Sequence, residues 1–380
     1  MAVATPPLVT MLVIPTGIGC EQGGYAGDGL PVARLLAAAS GSLITHPNVM
    51  NAAALYWSDS RIHYVEGWAL DRFAACQLAL RPVRRQRVGL LLDAAIEPEL
   101  KARHLQAADA CRAALGLTIG PVLSTDAPLG VSLHRGPSGA SWGRLERPDA
   151  LLRAGERLRA AGATAIAVVA RFPDDAGSPA LEAYRAGSGV DALAGAEAVI
   201  SHLLGDHLGI PCAHAPALSP LPLDPGLDPR AAGEELGHTF LPCVLVGLSR
   251  APDLMDWRLA GPRVGAVPVE GAAATTAGNP GLDCAGADTP LITPQALAAV
   301  VAPAGALGGA AVLAAAERGV PLITVVNPCL LNVTAAALGL EAAGCTVLPA
   351  RSYSEAAGLV LALREGLNPE SLLRPLVSLS

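Results

Sequence analysis

Val13-Ile-Pro15-Thr-Gly17 near the start of the chain and Val301-Ala-Pro303-Ala-Gly305 near its end share a pattern, and the segments downstream of the two also match. The first continues through Gly23-Gly24, an Ala/Leu-rich segment, Leu43-Ile-Thr45 and His46-Pro47-Asn48-Val-Met-Asn51-Ala-Ala-Ala-Leu55. The second continues through Gly308-Gly309, a similar segment, Leu322-Ile-Thr324, Asn327-Pro328-Cys329-Leu-Leu-Asn332 and Ala335-Ala-Ala-Leu338. Each copy reads as strand, Pro-x-Gly, Gly-Gly, helix, strand, His or Asn before Pro, and helix. Two pseudo-symmetric α/β units with mainly parallel, Rossmann-like sheets are therefore expected, sharing a ligand cleft between their strand ends.

Further short aliphatic runs extend the scheme. Strands are expected at 11–15, 42–45, 88–92, 165–170, 243–248, 299–302, 321–326 and 346–348, with helix-like segments such as 148–161 and 353–364 between many of them. Strands alternating with helices indicate parallel sheets. The expected organisation is a flexible tail over 1–7, a first α/β unit over 8–150 with the Gly-rich loop, and a middle α/β segment over 151–255. A Gly/Ala-rich connection over 256–290 then leads to a C-terminal unit over 291–380.

Composition narrows the function. Of 380 residues, 52% are hydrophobic and 16% charged, which excludes a disordered chain. The net charge is −7 with no basic run, so nucleic acid is not an expected partner. Lys101 is the only lysine and lies in a polar, helix-like stretch, which removes a Walker lysine and argues against a Schiff base. None of the 8 cysteines forms a CxxC pair, so no structural zinc site is expected. No basic-then-apolar leader opens the sequence, and the expectation is a cytoplasmic protein with reduced thiols. The uncharged stretch 289–316 is rich in Ala and Gly and contains Pro294 and Pro303; it reads as buried strand, loop and helix, and no membrane partner is expected. A homo-oligomer is expected.

Four segments could carry chemistry. The loop 17–28 offers Gly17, Gly19, Glu21 and Gly24 between a strand and a helix, a place where backbone amides receive an anion and where the Cys20 thiol would be acidified. His46, with Asn48 and Asn51, and Asn327, with Cys329 and Asn332, fall at equivalent points of the two repeats, suited to proton transfer and to amide contacts with a polar ligand. Asp191 and Glu197 lie in a Gly-opened segment ahead of His202, Asp206 and His214, whose alternative reading is a divalent-metal site. Ser249-Arg250 ends the apolar run 243–248, where an Arg would grip a carboxylate or phosphate.

As a set, Pro15-Thr-Gly-Ile-Gly, His46-Pro-Asn, Gly189-Val-Asp191 with Glu197-Ala-Val-Ile-Ser-His202, Pro211-Cys-Ala-His-Ala-Pro216 and Leu248-Ser-Arg-Ala-Pro252 resemble the domain of unknown function numbered three-three-two-six, over nearly the whole chain. At the level of architecture the chain is also similar to the aspartate/glutamate racemase superfamily, cofactor-free enzymes with two pseudo-symmetric halves. That similarity implies a cysteine from each half, here Cys20 and Cys329, on a small carboxylate. The superfamily's Gly-Cys-Thr triplet occurs here as Gly344-Cys345-Thr346, at the start of a strand rather than its end.

The expected activity is a cofactor-independent isomerase or lyase. Cys20, His46, Cys329 and His214 would move protons on a small carboxylate- or phosphate-bearing substrate. The alternatives are a metal-dependent hydrolase using His202, Asp206 and His214, and a non-catalytic nucleotide- or metabolite-binding protein.

Overall fold

The computed structural model describes residues 5–51, 58–235, 240–257, 290–372, 374–375 and 378; most of the connection expected over 256–290 and the first four residues of the expected tail lie outside them. The strands, in chain order, are β1 Leu8–Leu12, β2 Gly41–Thr45, β3 Ile62–Tyr64, β4 Leu78–Arg81, β5 Val88–Leu92, β6 Ile119–Ser124, β7 Val131–Arg135, β8 Ser141–Leu145, β9 Ala165–Arg171, β10 Cys212–Ala217, β11 Asp253–Asp256, β12 Leu297–Pro303, β13 Leu322–Val325 and β14 Val347–Ala350. The helices are α1 Leu30–Ser40, α2 Pro47–Met50, α3 Gly67–Ala74, α4 Pro98–Leu115, α5 Pro148–Ala160, α6 Pro179–Arg185, α7 Ala194–Leu208, α8 Pro229–Glu235, α9 Phe240–Leu248, α10 Ala310–Glu317 and α11 Tyr353–Arg364.

Two parallel sheets organise the molecule. The first has six strands in the order β14-β13-β12-β1-β2-β3, the second four in the order β10-β9-β5-β6. The two sequence repeats are the two halves of the first sheet. From the central parallel pair β1 and β12 the chain steps outward to β3 on one side and to β14 on the other. Strand order thus reverses between β1 and β12, the position where doubly wound sheets bind ligands.

The strands read as unbroken apolar runs because both faces are covered. Leu12 faces α1 and α11, packing with Leu36 and Val360, while its neighbour Met11 faces α3 and α10, packing with Phe73 and Val312. The second sheet is covered likewise, by α5 and α7 on one face and by α9 and α4 on the other. Residues 8–64 supply the first sheet and 88–124 the second, so the unit drawn over 8–150 is shared between two sheets.

The strands β3, β4, β6, β7, β8, β10 and β11 are additions to the sequence reading, and two expected elements do not form. The run 243–248, expected as a strand, is the body of α9. Leu241, Cys243, Val244, Leu245 and Leu248 are all buried, because α9 packs against β9, β10 and α4. An apolar run enclosed this way carries no period that separates helix from strand. The helix expected around 335–338 is also absent. There, left-handed Gly339 and Gly344 end single turns, each closed by a bond across it, Leu340 N–H to Ala335 O and Cys345 N–H to Leu340 O.

Candidate functional site

A cavity of about 320 Å³ opens between the two sheets. It lies beyond the carboxyl ends of β1, β2, β3 and β12, and β10 and α7 close it from the other side. Its lining holds five carboxyl groups, Glu66, Asp71, Asp191, Glu197 and Glu234, and three histidines, His46, His202 and His214, with no Arg or Lys among the described residues.

Three of the carboxyl groups are held by helix starts that surround the cavity. Glu66 caps α3, its Oε2 accepting the Trp68 N–H at 2.9 Å. Asp71, one turn on, accepts the N–H of Ala311 in the first turn of α10, a helix without a side-chain cap of its own. Asp191 Oδ1 accepts the N–H groups of Leu193 and Ala194 at the start of α7, at 2.8 and 3.3 Å. Helix N-termini carry partial positive charge and free amides. The protein's own carboxylates take up these donors, which would otherwise receive an anion.

One wall is an ion pair. His202 Nε2 lies 3.0 Å from Glu66 Oε1. Burial works against the imidazolium, but the hydrogen bond and charge of Glu66, joined by Asp71, outweigh it and hold the His202 pKa above its ordinary value. Burial raises Asp71.

The opposite wall is a chain of polar groups. His214 projects from β10 between two residues of α7, with Nδ1 3.1 Å from Ser201 Oγ and Nε2 3.4 Å from Glu197 Oε2. Ser201 Oγ also lies 3.3 Å from Glu197 O, so it can turn its hydrogen either to its own helix or to the imidazole. Beside this chain stand two further carboxyl groups. Burial, and then the charge of Glu197, pushes Asp191 up to about 7. Burial, and then Asp191, pushes Glu234 up to about 8, while the Tyr184 hydroxyl donates to it at 2.8 Å. Asp191 and Glu234, both raised toward neutrality and each acting on the other, keep a carboxyl proton near neutral pH, which is the condition of a general acid or base.

His46 differs from the other two histidines. It is buried and its Nε2 accepts the Ile14 N–H at 3.2 Å, which puts the proton of the neutral ring on Nδ1. Burial lowers its pKa to about 4.

The structure gathers some of the expected residues and disperses others. His46, Asn48, Asn51, Asp191, Glu197, His202 and His214 line the cavity. Asn51 accepts the Tyr64 hydroxyl at 3.0 Å, and Asn48 donates to Gly23 O at 3.4 Å. Gly17, Gly19, Glu21 and Gly24 do not line it; the loop's contribution is Pro15, Thr16 and Ala26. Gly17 instead accepts the Ser141 N–H, and its left-handed backbone at φ 68° and the nearby Ser141 hydroxyl leave no room for a side chain.

Asn327 is not a helix cap. It clamps Gln22, accepting from its N–H at 3.0 Å and donating to its carbonyl at 2.8 Å, and donates to the Tyr353 hydroxyl. Asn332 is exposed, away from the cavity.

Arg250 does not bind anything in the cavity. The run before it is a helix, and Arg250 sits exposed on the turn that comes next. Ser249 bonds back to Val246 O at 2.7 Å. The metal set is not assembled either. Asp206 is exposed and 3.5 Å from Arg72, while His202 and His214 face Glu66 and Glu197. No group of three His, Cys, Asp or Glu among the described residues has metal-binding geometry.

Cys20 and Cys329 lie outside the cavity lining and touch each other, so no substrate carbon fits between the two thiols in the manner of a racemase. Burial, and then Cys329, pushes the Cys20 thiol up to about 12, the reverse of an acidified thiol. Sequence reading does not single out Glu66, Asp71 or Glu234. The local sign is weak: Glu66 precedes α3, Asp71 lies within it and Glu234 is near the end of α8.

The profile of a family described as "Protein of unknown function (DUF3326)" matches residues 9–373. A relative from Synechococcus sp., named an uncharacterized lipoprotein, is 51% identical over 366 residues, covering 96% of this chain and 93% of its own length. The cytoplasmic assignment drawn from the sequence is withdrawn on that finding. No helix among the described residues is long and apolar enough to cross a membrane.

Proposed function

This chain belongs to the DUF3326 family, and we propose that it is a proton-transfer enzyme, an isomerase or lyase, acting in the inter-sheet cavity on a small polar substrate that is neutral or cationic. The observation that carries the reading is the cavity lining of five carboxyl groups and three histidines without Arg or Lys among the described residues. Such a lining offers no Arg or Lys side chain among the described residues to pair with a carboxylate or phosphate, while its carboxylates attract an ammonium group and its acceptors suit the hydroxyls of a polyol. The anionic substrate expected from Arg250 is therefore replaced by one of the opposite charge preference.

Roles follow from the protonation states. Asp191 and Glu234, raised toward neutrality, share a proton that can be given to the substrate. His214, placed between Glu197 and Ser201, accepts a proton and passes it along that chain. The Glu66–His202 pair fixes charge on the other wall and orients the substrate's polar groups. Thiol chemistry has no part in the reading.

The test is a binding screen followed by exchange. Small amines, amino alcohols, polyols, carboxylates and phosphates are compared by thermal shift, and each stabilising compound is then incubated in D₂O and followed by NMR. The reading expects neutral or cationic compounds to bind and a carbon-bound proton to exchange with the wild type but not with His214→Gln. Binding without exchange would make the cavity a metabolite-binding site. Selective stabilisation by carboxylates or phosphates would contradict the charge argument.

A further inference from the structure

The loops that leave β1 and β13 run antiparallel to each other beyond the carboxyl ends of the six-stranded sheet, across the end of β12. Two backbone bonds tie them, Glu21 N–H to Pro328 O and Leu330 N–H to Ile18 O, each 2.9 Å. Between these bonds stand Gly19 and Cys20 on one loop and Cys329 on the other. This is a non-hydrogen-bonded pair with one extra residue, a bulge, and Gly19 takes a left-handed backbone there, at φ 64°. In a regular non-hydrogen-bonded antiparallel pair the opposed Cα atoms lie about 4.5 Å apart, and a disulfide spans roughly 4.4–6.8 Å, so a pair slightly widened by the bulge stays in range. The side chains agree with the placement, since the two thiols are close enough to act on each other, while Cys20 Sγ also lies 3.9 Å from Pro15 O and Cys329 Sγ 3.4 Å from Leu331 O. Asn327 holds the same two loops in register through both atoms of its amide.

We propose that Cys20 and Cys329 are a site of reversible oxidation, forming a cross-strand disulfide when the protein meets a peroxide. Cys329 is half-buried and within reach of solvent, whereas Cys20 is 1% exposed, so the reagent meets Cys329 first. The Cys329 sulfur takes one oxygen from hydrogen peroxide, giving a sulfenic acid and water. The Cys20 sulfur then displaces the hydroxyl, the S–S bond forms, and the Cys20 proton leaves with that hydroxyl as a second water. Two thiols are oxidised by two electrons and one peroxide is reduced to two waters. Burial and its high pKa make Cys20 a poor attacker of anything diffusing past. Fixed contact with Cys329 supplies the effective concentration that offsets this. The bond joins residue 20 to residue 329, tying the loop after β1 in one half of the sheet to the loop after β13 in the other. Nothing in the proposal depends on the cavity's chemistry.

The experiment treats the reduced full-length protein with graded hydrogen peroxide, blocks the remaining thiols, and maps non-reduced peptides by mass spectrometry. The expected product is a Cys20–Cys329 peptide pair two hydrogens lighter than its parts, with a raised thermal midpoint that returns to its starting value on reduction. In Cys329→Ser neither the linked pair nor the rise is expected. In Cys20→Ala, Cys329 is expected to proceed to the sulfinic acid; the wild-type map stands alone should that variant not fold. The proposal is overturned by any of three results in the wild type: Cys329 sulfinic acid beside a reduced Cys20, either thiol linked to another of the 8 cysteines, or an unmodified Cys329 at peroxide levels that oxidise the other half-buried thiols.

Discussion

Replacing Asp191 by Asn tests the protonation state on which the proposed chemistry depends. Asn retains an oxygen that can accept the Leu193 and Ala194 N–H groups, so the start of α7 keeps its cap. What is lost is a carboxyl group whose pKa rises from an ordinary 3.8 to about 7 on folding. The folded state binds this proton more tightly than the unfolded chain does. Stability from this group is therefore complete below pH 4 and is lost as pH rises to about 7. At about 1.36 kcal/mol per pH unit, the loss has a ceiling of about 4 kcal/mol. Asp191 titrates together with Glu234, and water relaxation softens the burial, so about 1–3 kcal/mol is expected. Urea unfolding of wild type and Asp191→Asn, repeated from pH 4 to pH 8.5, reads this directly. The variant should match the wild type near pH 4 and exceed it by that amount at pH 8. Parallel curves, or a variant that is weaker at pH 8, would mean that Asp191 is an ordinary ionised cap and would remove the proton donor from the account.

Other outcomes rest on single contacts. The imidazole of His46 should titrate near 4, staying neutral with its proton on Nδ1 at pH 7 by ¹⁵N NMR. Glu66→Gln should lower the His202 pKa, since burial then acts with less opposition, and the same spectra would show it. Gly247→Ala should destabilise the protein by about 1–3 kcal/mol in urea, because the added methyl would meet the buried Tyr64 ring. Arg250→Ala should leave both ligand binding and stability within about 0.5 kcal/mol of wild type, as expected for an exposed turn residue.

The doubly wound sheet is legible because its two halves repeat the same punctuation. Pro15-Thr-Gly17 and Pro303-Ala-Gly305 mark the two central strand ends, and those strands are neighbours. Of the second sheet only β5 and β9 are legible as strands; β6 and β10 are not, and nothing in residues 88–124 says which sheet they join. Cys243 to Leu248 reads wrongly as a strand because complete burial removes the polar positions that would reveal a helical period. Placing Arg250 at a strand end follows from that misreading. His46, Asp191, Glu197 and His214 can be found from their motifs. Glu66, Asp71 and Glu234 cannot, because they come from separate segments and share a cavity only once the two sheets face each other. Cys20 and Cys329 are visible as residues near matching strand ends, but their contact depends on the Gly19 bulge and the Asn327 clamp.

The central claim is that the cavity keeps a carboxyl proton available at neutral pH. The most direct measurement is ¹³C NMR titration of the side-chain carboxyl carbons of Asp191 and Glu234, assigned with Asp191→Asn and Glu234→Gln. The account predicts that the pair titrates together between about pH 6 and 9, remaining largely protonated at pH 6, and that removing Asp191 lowers the Glu234 midpoint. Two carboxylates fully ionised by pH 5, each indifferent to the other's removal, would contradict it.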